Sequence, residues 1–203
     1  MSEIDIDVIH AIVKKFVGKT SRFVLREDDY TRRFASQLAE HFSEEIVTAI
    51  GGWVDNLQEH LGESSRYLKE QYLPKAKDIY PDITILQPVD GLTRINLQRF
   101  EELGCNTQIR AIFECKYSRS FPSATYKHFL QDSAKLEILG EYCQSRFGTV
   151  PLLVQLIFDF KGTYANKNVL KQYADAAIQA DFRHVHVLLV DRNGECKSLL
   201  QEA

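Results

Sequence analysis

Two stretches decide how this chain folds: YPDITIL (Tyr80–Leu86) and IRAIFECKYS (Ile109–Ser118). The second is an apolar strand by its β-branched and aromatic content, yet it carries Glu114 and Lys116 two residues apart. Residues i and i+2 of a strand share a face, so both charges project the same way, with Cα atoms about 6–7 Å apart. Phe113, Cys115 and Tyr117 point the opposite way, into packing. In the first stretch Asp82 and Thr84 share one face and Ile83 and Ile85 the other. Burying charge costs several kcal/mol unless the charges are paired or hold a metal. Such a cluster needs a reason.

Outward from these strands, helical and strand patterns alternate. Ile9, Ile12, Val13, Phe16 and Val17 form one helical stripe near the start, and Gly18 to Ser21 break it. Phe34, Leu38, Phe42, Ile46 and Val47 predict a second helix over 27–50, ended by Gly51-Gly52. A third, interrupted at Gly62, runs through 54–73 until Pro74. Residues 90–107 read as a hairpin excursion or an inserted loop. After the Glu114 strand come a long helix over 126–147, with Phe129, Leu136, Leu139 and Cys143 inward, a buried strand over 150–160, a helix over 167–180 and a last strand over 184–191 before the Asn193-Gly194 turn. Apolar strands without a polar face, alternating with helices, predict an α/β architecture whose sheet is covered on both sides.

At 203 residues, 44% hydrophobic and 26% charged, the chain reads as one globular domain. A net charge of −3 offers no bulk attraction to polyanions, so a nucleic-acid partner would be held by a local patch or by bound cations. No run approaches the roughly 18 apolar residues of a membrane span, and the start has neither a cationic nor a continuous apolar segment. No membrane partner and a cytoplasmic location are therefore expected. Cys105, Cys115, Cys143 and Cys196 form no CxxC pair and read as reduced thiols.

If the two decisive strands are neighbours, Asp82 and Glu114 converge at one end of the sheet with Lys116 beside them. Two carboxylates make a hard oxygen site suited to Mg²⁺ or Mn²⁺, and the backbone carbonyl of Cys115 offers a third ligand. A lysine there can orient or help deprotonate an attacking water, or stabilise charge on a transition state.

Pro81-Asp82 followed by Glu114-x-Lys116, on two strands before a helix and another strand, resembles the PD-(D/E)xK nuclease superfamily. The likeness spans about residues 26–160. It implies a restriction-endonuclease-like core, helix, three strands, helix, strand, as a central mixed sheet flanked by helices on both faces. An N-terminal helical extension over about 1–20 would precede a core over about 26–192. It implies a Mg²⁺- or Mn²⁺-dependent nuclease, acting on DNA more often than RNA and often a homodimer, with Asp82 and Glu114 as metal ligands and Lys116 as catalytic lysine. The strand expected before Asp82 would be compressed into KAKDIY (75–80) or replaced by the helix before it. The 32 residues between Asp82 and Glu114 (114 − 82) make 88–107 an insertion.

Many members add a glutamate near the start of the first core helix. Glu27 lies on the apolar stripe and Asp28 one step around; a metal ligand and a first-turn acid favoured by the helix dipole both fit. Gln131, Asp132 and Lys135 follow on the long helix, where some members place a polar residue near the site; a solvated ion pair is the alternative for Asp132 and Lys135. Arg119, Lys127, His128, Lys161 and Lys167 are candidate phosphate contacts. His184 and His186 share one face of the last strand and read as a packed or edge pair, with no third zinc ligand.

The tripeptide is unspecific, because Asp159-Phe160-Lys161 and Glu195-Cys196-Lys197 also fit it. The second follows a turn signal and reads as surface. The first ends a buried strand but lacks a Pro-Asp strand upstream, and Gly162 takes the chain out of the sheet. Two rival classes remain. One is a catalytically silent nucleic-acid- or protein-binding module on the same fold; the other is an unrelated α/β protein in which Glu114 and Lys116 form a structural salt bridge.

Overall fold

The computed structural model describes residues 4–20, 27–48, 61–76, 79–87, 108–117, 126–162 and 168–200, with the backbone alone at 27, 46, 48 and 108. In chain order the elements are α1 (Ile6–Thr20), α2 (Glu27–His41), β1 (Ile46–Thr48), α3 (Glu63–Tyr72), β2 (Ile83–Gln87), β3 (Gln108–Tyr117), α4 (Tyr126–Phe147), β4 (Leu152–Phe158), α5 (Val169–Gln179), β5 (Val185–Val190) and β6 (Cys196–Ser198). The strands form one mixed sheet in the order β1-β2-β3-β4-β5-β6. β3, β4 and β5 are parallel, and the pairings at both ends are antiparallel.

Strand alternation divides the core in two. Ile83, Ile85, Phe113, Cys115, Leu156 and Phe158 pack under α1 and α2. Ile112, Leu153, Ile157 and Val187 pack under α3, α4 and α5. The sheet is thus α/β with helices on both faces. α1 belongs to the core, with Ile9, Val13 and Val17 fully buried. It approaches the β5–β6 turn so closely that a Cβ at Gly194, itself at φ +79°, would lie 2.8 Å from the Cα of Lys14. Only glycine fits there. Asp191 closes the same turn by accepting from the N–H groups of Asn193 and Glu195.

Three expectations change here. The helix read over 27–50 ends at His41, and Ile46–Thr48 form the edge strand β1, paired with β2 from Ile46↔Leu86 to Thr48↔Thr84. This is the strand sought before Asp82, so neither KAKDIY nor the preceding helix replaces it. Arg110 of β3 reaches Glu45, just before β1, at 2.9 Å. The two histidines also part company: His184 precedes β5 and meets Glu137 of α4 at 2.6 Å, whereas His186 lies near His10 of α1. Glu195-Cys196-Lys197 lies at the start of edge strand β6, and its Glu195 pairs with Lys14 in solvent.

The inserted segment 88–107 lies outside the described residues. Cys115, Cys143 and Cys196 are free thiols. Among the described residues no helix is long and apolar enough to cross a membrane.

Candidate functional site

Antiparallel pairing brings the start of β2 to the end of β3. The paired register ends at Ile83↔Phe113 and Thr84↔Ile112, and Asp82 immediately precedes it, beside the end of β3 that carries Glu114. Glu114 belongs to the α4 face, as do Thr84, Ile112 and Lys116, and the Asp82 carboxylate lies near enough to act electrostatically on Glu114, Asp132 and Lys135. Asp82 is fixed twice, since its N–H donates to Phe113 O at 3.1 Å and its Oδ2 accepts the N–H of Cys115 at 2.7 Å. The N–H and C=O of one strand residue point to the same side, so the Cys115 carbonyl faces Asp82's edge of β3.

α4 closes the site from above and supplies two groups. Lys135 Nζ lies 2.7 Å from Glu114 Oε2 and 3.9 Å from Asp132 Oδ1, and it donates to Tyr80 O at 3.3 Å. Lys116 Nζ lies 3.4 Å from Asp132 Oδ2. Glu114 is 1% exposed and Asp132 6%, while Asp82, Lys116 and Lys135 are half-buried. Asp132 is therefore no solvated partner but the bridge between two ammonium groups.

Three carboxylates against two ammonium groups leave this cluster with one negative charge in excess. Burial drives the Glu114 carboxyl well above the ordinary value of 4.5; Lys135 opposes that, and Asp82 and Asp132 reinforce it. Asp132 is raised by burial against the pull of Lys116 and Lys135. Burial works against the Lys135 ammonium, but Glu114 and Asp132 more than offset it and hold its proton. All three shifts favour taking up positive charge.

That preference bears on a metal. Glu114 Oε1 is buried and has no hydrogen-bond partner among the described residues, which is how an acceptor oxygen awaiting a cation would stand. Asp82, Glu114 and the Cys115 carbonyl are all hard oxygen donors, and Mg²⁺ ordinarily keeps several waters besides one or two carboxylates. The donor set fits such an ion. Among the described residues, however, no three His, Cys, Asp or Glu side chains gather at ligand spacing.

The remaining candidates lie elsewhere. Asp28 is exposed on α2, which covers the opposite face, so it does not join the site. The side chain of Glu27 and all of Arg119 and Lys167 lie outside the described residues. Gln131, Lys127, His128 and Lys161 are exposed, and Gln131 and Lys127 line a cavity with Tyr72 and Tyr126 rather than the carboxylates. Asp159 is buried and its N–H still donates to Val190 O at 2.8 Å, but the chain turns away directly after it, where Gly162 N–H donates to Asp159 O at 3.0 Å. Asp159 and Lys161 therefore lack the shared strand face that Glu114 and Lys116 have.

Beside the charges lies a polar chain not foreseen from sequence. Ser133 of α4 bonds both Gln155 of β4 and Tyr173 of α5, and Gln155 Nε2 donates to Phe129 O at 3.1 Å. A run of small and polar residues inside a helix with apolar neighbours on both sides was its only signal. Comparison with protein-family models, curated proteins and solved structures gives no match, so the site is argued from its own geometry.

Proposed function

We propose that this chain is a metal-dependent phosphodiesterase acting on nucleic acid, DNA before RNA, on a restriction-endonuclease-like core, and that it works in the cytoplasm. The observation that carries the reading is Asp82 held by the Cys115 N–H beside Glu114 at the sheet end, with Glu114 Oε1 unpartnered among the described residues and Lys116 on the same face of β3. The order α2, β1, β2, β3, α4, β4, with α3 inserted between β1 and β2, supports the core assignment.

Asp82, Glu114 and the Cys115 carbonyl would hold Mg²⁺ or Mn²⁺, which when bound supplies Lewis-acid stabilisation and a more acidic water. The chain's own groups do the rest. The Cys115 N–H keeps Asp82 aimed along the strand edge. Lys116, half-buried and steadied by Asp132, presents an ammonium that orients the attacking water and offsets charge on the phosphate oxygens. Burial of Glu114 keeps bulk water off its carboxylate and strengthens its field. A second reading, a silent nucleic-acid- or protein-binding module, is favoured by the ion pair that already engages Glu114 Oε2.

The test is cleavage of plasmid, linear and single-stranded DNA and of RNA by purified protein with Mg²⁺, Mn²⁺ or EDTA, beside a folded Lys116→Ala variant. Metal-dependent cleavage that the variant loses is expected. Cleavage that survives in the variant, or none on any substrate, would overturn this assignment.

A further inference from the structure

Lys135 stands out because it is the cation closest to the most buried acid. Its ammonium lies 2.7 Å from Glu114 Oε2 and reaches Asp132 Oδ1 and Tyr80 O as well. Lys116, the lysine of the strand motif, instead pairs with Asp132. The motif glutamate is thus neutralised from α4 rather than from its own strand. The negative potential of Glu114 and Asp132 that a divalent cation needs is the one Lys135 already answers.

We infer that Lys135 is the resident counter-cation of this site and competes with the divalent ion, leaving Glu114 when the ion binds. This rests on the metal-dependent reading above. Lys135 is then a positioning residue: it keeps Glu114 and Asp132 from repelling each other in the metal-free protein, and each binding event must release it. Two charges of one sign do not share a buried carboxylate pair without strong repulsion, because the low-dielectric surroundings screen it poorly. Release is feasible because Lys135 is a long flexible side chain that keeps 20% of its surface open to solvent.

The experiment is Mn²⁺ titration by calorimetry of wild type, Lys135→Met, Lys135→Arg and Glu114→Gln, all checked for folding by circular dichroism. Lys135→Met should bind Mn²⁺ about tenfold tighter or more than wild type, Lys135→Arg should bind no tighter, and Glu114→Gln should lose binding. In wild type itself, amine labelling of Lys135 read by mass spectrometry should rise when Mg²⁺ is added. This arm needs no variant to fold. Unchanged or weaker binding by Lys135→Met, with wild-type binding intact and labelling indifferent to Mg²⁺, would overturn the inference and leave the metal-site reading standing. No Mn²⁺ binding by wild type or by Lys135→Met would sink both.

Discussion

The two faces of the sheet differ in kind. Under α1 and α2 the described strands present mainly apolar groups and no buried carboxylate, and the packing is aromatic: Phe34 meets Phe16 at 5.2 Å and Phe113 at 6.1 Å, and Tyr117 stacks on Phe158 at 4.7 Å. Under α4 the same strands place Thr84, Glu114 and Gln155 in the interior, facing Asp132, Ser133 and Glu137. One side shows what these strands pack like when only stability is at stake. The other keeps charges that cost desolvation, and a buried ion pair is weak grounds for stability. On the proposed function, the working surface is the Asp82–Glu114 end.

The largest effect should come from the dry face. Phe34→Ala removes a fully buried ring and should cost about 3–5 kcal/mol in denaturant melts. The Mn²⁺ affinity of the folded fraction should be unchanged, since the ring lies across the sheet from Glu114. A changed affinity in folded protein would break the division of labour.

A smaller and pH-dependent effect should come from Glu114→Gln. The Glu114 carboxyl is raised above 4.5 in the folded chain, so its contribution is fully present below the unfolded value and is lost as pH rises through the folded one. Without metal, the stability of Glu114→Gln relative to wild type should therefore improve from about pH 4 upward, with a slope no steeper than about 1.4 kcal/mol per pH step of one. Parallel profiles would mean that Glu114 is not strained by its surroundings.

These differences also show where sequence patterns stop. β3 and α4 are legible to the residue, because each has an unbroken period and clear punctuation. β1 is hidden because Ile46 sits four residues after Phe42, continuing the helical spacing, and Phe42–Glu45 hold no glycine or proline to mark the stop. Glu114 and Lys116 are legible as an i, i+2 pair on an apolar strand. Asp132 is not, since an i, i+3 charge pair is usually solvated; α4 buries it by being covered by α3 and α5 as well as by the sheet. Asp28 lies apart from the carboxylate cluster for a reason no helical stripe reveals, namely which face of the sheet α2 covers.

The central claim is that the charged face is kept for work and not for stability. The double variant Glu114→Met with Lys135→Met tests it most directly, read by urea midpoint and by metal-dependent cleavage in the same preparation. Replacing a buried ion pair with apolar side chains of similar volume is often neutral or stabilising by about 1–4 kcal/mol. The account predicts a midpoint equal to or above wild type, with Mn²⁺ binding and cleavage abolished. A clearly lowered midpoint, equivalent to several kcal/mol of lost stability, or cleavage retained, would contradict it.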